Sequence, residues 1–236
     1  MTESVRGRKA EEISGAIRQP KIKLCGLTRS CDIRAANELK PDYIGFVFAP
    51  ESRRYVPPEK AAELKQMLDP QIKAAGVFVD EDPQVIEDLV RREVIDVVQL
   101  HGREDEAYIH SLRERMGSSL IIQAFSISTE QDAKTAEKSS ADYILVDSPG
   151  GGTGAVFDWK LLRKISRPYF LAGGLTPGKA GDAIHTLRPY GVDVSSGIET
   201  DGYKDRDKMA EFVLAVRQAN GGAKKHALYS AQDPSD

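Results

Sequence analysis

Lys21-Ile-Lys-Leu-Cys-Gly-Leu-Thr28 is a short apolar run that stops at a cysteine and turns at a glycine. Ile22, Leu24 and Cys25 read as a buried strand, and Gly26 as the break. The polar residues beyond read as a helix start, ahead of Ile33, Ala36 and Leu39 at helical spacing. This unit recurs along the chain. Apolar runs at 22–25, 43–48, 74–79, 97–100, 120–125, 143–146, 169–172 and 192–194 make eight predicted strands. Amphipathic stretches lie between them, such as Ala61, Leu64, Leu68 and Ala180, Ala183, Ile184, Leu187. Pro58, Pro83 and Pro177 fall near the expected helix starts, where a missing N–H costs least. The runs are almost continuously apolar, as strands covered on both faces are. Strand–helix alternation implies parallel strands with right-handed crossovers. Eight such units predict an α/β fold, a single-domain (β/α)8 TIM barrel over residues 21–219. An open doubly wound sheet would carry GxGxxG after its first strand, and Cys25-Gly-Leu-Thr28 stands there instead.

Composition narrows the class. The chain has 236 residues, 40% of them hydrophobic, which suffices for one large domain. A net charge of -3 gives no reason to expect nucleic acid or an anionic membrane as partner. No apolar run approaches the ~18 residues of a membrane span. Residues 1–20 are polar and lack the apolar centre of a signal peptide, so a cytoplasmic location is expected. They read as an N-terminal extension, either disordered or a helical turn with Ile13, Ala16 and Ile17 across the barrel bottom. Residues 220–236 read as a flexible tail. Two cysteines, Cys25 and Cys31, build no disulfide framework and no CxxC metal site. The oligomeric expectation is a monomer or a homodimer.

In such a barrel the chemistry sits where strands end and βα loops begin. After strand one come Cys25 and Gly26. After strand two comes a basic loop with Arg53 and Arg54, and after strand four Gln99 and His101. After strand six comes Asp147, followed by a loop carrying Gly150, Gly151, Gly152 and Gly154. Gly173 and Gly174 follow strand seven; Ser195, Ser196 and Gly197 follow strand eight. These last two loops offer backbone N–H groups to one anion, the place where barrel enzymes frequently bind phosphate. Taken alone, Cys25 is better explained as a small buried apolar side chain, and Asp147 can be a helix or turn cap, a role that does not exclude an acid.

Lys23-Leu-Cys-Gly-Leu-Thr28, Gly45-Phe-Val-Phe48 with Ser52-Arg-Arg-Tyr55, Gly76-Val-Phe-Val79, Val98-Gln-Leu-His-Gly102, Leu145-Val-Asp147, Gly151-Gly-Thr-Gly154 with Phe157-Asp-Trp159, Ala172-Gly-Gly-Leu175 and Val192-Asp-Val-Ser-Ser-Gly-Ile-Glu199 together resemble phosphoribosylanthranilate isomerase. The resemblance spans residues 21–218. It implies a cofactor-free, metal-free enzyme of tryptophan biosynthesis, acting on a small phosphosugar by an Amadori rearrangement. It further implies Cys25 as general base and Asp147 as general acid. Arg54 would be the fork for the substrate's anthranilate carboxylate, and Asp193 a polar residue near the sugar or, equally, a structural hydrogen-bonding residue. Gly173, Gly174, Ser195, Ser196 and Gly197 would hold the phosphate. The family's chemistry does not require His101, which reads as a pocket-wall or structural residue; Phe157 and Trp159 would pack the loop onto the sixth helix. A ribulose-phosphate epimerase would need metal-ligating histidines at several strand ends, and only His101 is so placed. The histidine-pathway isomerase would carry an aspartate where Cys25 stands. A silent phosphosugar-binding protein would lack the acid or the base.

Overall fold

A computed structural model describes residues 19–147, 159–162 and 164–229. Its strands are β1 (Lys21–Cys25), β2 (Tyr43–Val47), β3 (Lys73–Phe78), β4 (Val97–Leu100), β5 (Leu120–Ser126), β6 (Tyr143–Asp147), β7 (Tyr169–Leu171) and β8 (Gly191–Val194). The helices between them are α1 (Ser30–Leu39), α2 (Pro58–Gln66), α3 (Pro83–Arg91), α4 (Glu106–Met116), α5 (Glu130–Lys138), α6 (Trp159–Leu162) and α7 (Pro177–Leu187). The strands are parallel and close into a barrel, with β1 paired to both β2 and β8. This is the expected (β/α)8 architecture, and the strand limits lie within a residue or so of those read from the sequence. After β8 the chain makes a short 3-10 turn, Ser196–Ile198, and a small antiparallel hairpin of β9 (Glu199–Thr200) and β10 (Tyr203–Lys204). The hairpin was not foreseen. The last helix, α8, runs Arg206–Tyr229, so the segment expected as a tail begins inside it. The expectations for residues 1–18, for the glycine loop after Asp147 and for Phe157 lie outside the described residues.

Local chemistry explains the helix ends. Prolines open α2, α3 and α7, where no intrahelical N–H is needed. Asp82 caps α3 by accepting from the Gln84 N–H, and Thr129 with Asp132 forms a capping box on α5.

Strand alternation separates two interiors. Ile22, Leu24, Ile44, Phe46, Val98, Ile144 and Val192 face outward and pack with helix residues such as Ile33, Leu64 and Ile86. Burying one such Leu, Ile or Phe stabilises the fold by about 1.5–3 kcal/mol. The alternate residues point into the lumen, which is filled in layers. At its bottom Phe170 meets the rings of Tyr43, Tyr143 and Tyr190 edge-on at 5.4–5.9 Å between centroids. The bottom is thus closed by aromatic packing.

Candidate active site

Cys25 ends β1 and is buried at the mouth of the lumen beside Val47 and Val77. The chain turns at once through Gly26, whose φ of +79° few other residues adopt. The N–H groups of Gly26 and Leu27 both donate to the Gly45 carbonyl, which fixes the turn over β2. Space is the second constraint. A methyl on Gly45 would stand 2.7 Å from Cys25 Sγ and 3.2 Å from Lys23 Nζ, so the thiol and the ammonium crowd the same spot.

Lys23 is the residue that sequence reasoning left without a role. It lies two positions before Cys25, so both side chains enter the lumen. Its ammonium is fully buried and donates to Asp193 Oδ1 at 2.9 Å. The register pairs Lys23 with Asp193 across the β1–β8 seam, so the two side chains leave the sheet side by side. Asp193, expected near the sugar, therefore has its carboxylate engaged by Lys23. The signal in the sequence was a lysine between two buried aliphatics, Ile22 and Leu24.

Charges around the thiol compete. Burial pushes the Cys25 thiol up from its ordinary range. The Lys23 ammonium pulls it down, Asp193 pushes it up, and Lys204 also pulls it down. Lys204 sits on β10, nearly buried, and donates to Glu199 Oε1 at 2.6 Å and to the Ser195 carbonyl at 2.9 Å. Ser195 Oγ in turn donates to the Cys25 carbonyl at 3.0 Å, so the eighth loop is tied to the end of β1.

Arg54 crosses over Gly26, where a methyl would overlap its Cδ. Its Nε and Nη2 donate to the two Glu199 oxygens at 2.6 and 3.0 Å, a bidentate pair. Arg53, mostly exposed, reaches Glu199 Oε2 at 2.7 Å. Glu199 thus gathers three cations. Hydrogen bonds from Arg54 and Lys204 hold its carboxyl below the ordinary range despite burial, which acts the other way.

Asp147 ends β6, on the far wall of the mouth, with β7 and β8 between it and β1. His101 Nε2 lies 3.7 Å from Asp147 Oδ2, too long for a hydrogen bond but close enough for charge to be felt. Gln99 Nε2 sits 3.1 Å from His101 Nδ1. That contact leaves the other ring nitrogen, Nε2, facing Asp147. His101 is thus a neighbour of the acid candidate.

The two anion loops meet. Gly173 and Gly174 have φ of +81° and +65°. A methyl on Gly197 would overlap the Leu175 carbonyl oxygen, so loops seven and eight pack backbone to backbone. Gly174 and Ser196 are exposed in these loops. Cys31, by contrast, is exposed on α1 and separate from Cys25. Among the described residues, no three His, Cys, Asp or Glu side chains are grouped to hold a metal ion.

Residues 22–215 match the family described as N-(5'phosphoribosyl)anthranilate (PRA) isomerase. The chain belongs to that family. The N-(5'-phosphoribosyl)anthranilate isomerase of Acetivibrio thermocellus is 41% identical over 213 residues, covering 85% of this chain and 97% of that one. The isomerase of Endomicrobium trichonymphae is 42% identical over 202 residues, covering 84% and 98%. Among solved structures, the phosphoribosyl anthranilate isomerase of Thermotoga maritima has a TM-score of 0.77 at 36% identity, covering 84% of this chain and 99% of that one. A phosphoribosyl anthranilate isomerase in complex with reduced 1-(o-carboxyphenylamino)-1-deoxyribulose 5-phosphate has a TM-score of 0.74 at 35% identity, with the same coverage.

Proposed function

We propose that this chain converts N-(5'-phosphoribosyl)anthranilate to 1-(2-carboxyphenylamino)-1-deoxyribulose 5-phosphate, the isomerisation that serves tryptophan biosynthesis. The observation that carries the reading is the pairing of Cys25 and Asp147 at the ends of β1 and β6, on facing walls of one barrel mouth. In the reaction Asp147 gives its proton to the ribose ring oxygen as the C1′–O bond breaks. The anilino nitrogen supplies the electron pair, and an open-chain iminium forms. The Cys25 thiolate takes the C2′ proton, leaving an enolamine. Transfer of the C2′ hydroxyl proton and protonation at C1′ give the aminoketose, so atoms and charge balance. Acid and base act from opposite sides of the sugar.

The substrate's two fixed anions have separate receivers in this reading. Gly173, Gly174, Ser195, Ser196 and Gly197 take the phosphate through backbone N–H groups. Arg54 takes the anthranilate carboxylate. Glu199 already holds its Nε edge, and among the described residues no hydrogen bond falls on Nη1. No helix of the described residues is long and apolar enough to cross a membrane, which agrees with a cytoplasmic enzyme. One of the Thermotoga maritima structures is of monomers generated from a dimeric isomerase, and a monomer or a homodimer is the state proposed here.

The test follows the loss of phosphoribosylanthranilate fluorescence. The intact chain turns it over. Cys25→Ala and Asp147→Ala each lower kcat by about 10²–10⁴-fold, the range of a lost general acid or base. Wild-type turnover in either variant overturns the assignment.

A further inference from the structure

We propose that Lys23 is a positioning residue for Cys25: held by Asp193 across the β1–β8 seam, its buried ammonium is the counter-charge against which the thiolate forms. This deepens the proposed function and rests on Cys25 acting as its base. Three observations converge. Lys23 and Cys25 are alternate residues of one strand, both directed into the lumen. Sγ and Nζ flank the position of a missing methyl on Gly45 at 2.7 and 3.2 Å, so they are near neighbours. The ammonium has no exposed surface, and among the described residues its one hydrogen-bonded anion is Asp193.

A buried lysine that only filled the lumen would cost desolvation for nothing that an aliphatic side chain does not give. Here Asp193 meets the ammonium at 2.9 Å and offsets the cost of burying it. The pair is neutral overall, but it is oriented, with its positive end toward the sulfur. When the thiol loses its proton the new charge meets the ammonium in a site of low polarity, where the attraction is strong.

The other charges that face Cys25 come from neighbouring elements. Lys204 approaches from β10, and Arg54 from the loop after β2. Both are already bonded to Glu199. Asp147 and His101 stand on the far wall. Lys23 differs in sharing the strand of Cys25 and in having no exposed side-chain surface.

The experiment uses the full chain in a Cys31→Ser background, so that Cys25 is the sole thiol. The rate of its alkylation by iodoacetamide is followed from neutral to alkaline pH, and the midpoint reports the thiolate. Lys23→Met should move the midpoint up by about one to three pH units, the effect of losing an adjacent opposite charge. It should also lower kcat more than it changes KM. Asp193→Asn should move the midpoint the other way, because it removes an anion near the sulfur. A residue that merely filled space would not give shifts of opposite sign. If Lys23→Met fails to fold, the double variant Lys23→Met/Asp193→Asn removes the unpaired anion, and its midpoint should still lie above that of the parent. An unchanged or lowered midpoint in the folded single or double variant overturns the proposal. Labelling reads the thiolate without turnover. Full activity of Cys25→Ala would therefore sink the base assignment separately, leaving the Lys23 result to stand or fall alone.

Discussion

Arg54 is held at Nε and one Nη by Glu199, whose carboxylate also meets Arg53 and Lys204. A clamped guanidinium loses little further rotamer freedom when a ligand arrives, which favours binding more than chemistry. Arg54→Ala should therefore raise KM about 10- to 100-fold with kcat nearly kept, equivalent to the roughly 1.5–3 kcal/mol of a charged hydrogen bond. Glu199→Gln should raise KM less, by loosening the clamp while leaving the fork. Steady-state kinetics on both variants checks this, and an unchanged KM in Arg54→Ala refutes the carboxylate role. The arginine itself was legible from the basic loop after strand two. Glu199 was not, because its partner is 145 residues away in sequence and meets it only in the closed barrel.

At the scale of elements, the loops after β7 and β8 depend on one close approach. Gly197 lies against the Leu175 carbonyl with no room for a methyl. Gly197→Ala should force the loops apart, raise KM for the phosphosugar and weaken competitive inhibition by inorganic phosphate. The capping box of α5 offers the contrast. Thr129 accepts from the Asp132 N–H on a helix distant from β1 and β8 in chain order. Thr129→Ala should cost about 1 kcal/mol in urea unfolding and leave KM alone. If Gly197→Ala behaved like Thr129→Ala, with lower stability but unaltered phosphate inhibition, the loops would be structural turns only. The paired glycines of the two loops could be read from the sequence. Their contact with each other could not.

Over the whole molecule, the lumen divides the labour between its ends. Phe170 at the closed bottom is fully buried among Tyr43, Tyr143 and Tyr190. Phe170→Ala should cost about 3–5 kcal/mol through lost contacts and the cavity left behind. Substrate KM should not change in the fraction that remains folded, and combining unfolding curves with kinetics tests both halves. Alkaline pH should act on the molecule as a whole. Burial pushes the Tyr169 hydroxyl up from 10.0 to about 12, and it raises Tyr43 and the Cys25 thiol, whose ordinary value is 9.0. In each case the unfolded chain releases its proton first. The stability these groups contribute is complete below their unfolded values and is lost as pH rises through the folded ones. Melting temperature should therefore fall above about pH 9, and Cys25→Ala should blunt the first part of that fall. A melting temperature that is flat from neutral pH to beyond 10.0 would contradict the burial effects on these groups.

The sequence by itself determined the eight-fold alternation, because apolar period and turn residues are local properties that each segment carries alone. It also located the strand ends, and so placed Cys25, Asp147 and the glycine loops at one mouth once the barrel was accepted. Tertiary structure decided who neighbours whom. Barrel closure pairs Lys23 with Asp193 across 170 residues, the hairpin after β8 brings Lys204 and Glu199 to Arg54, and β4 sets His101 beside Asp147. These contacts follow from register and closure, which are properties of the whole sheet. No segment encodes them separately, and they set the charges around the thiol.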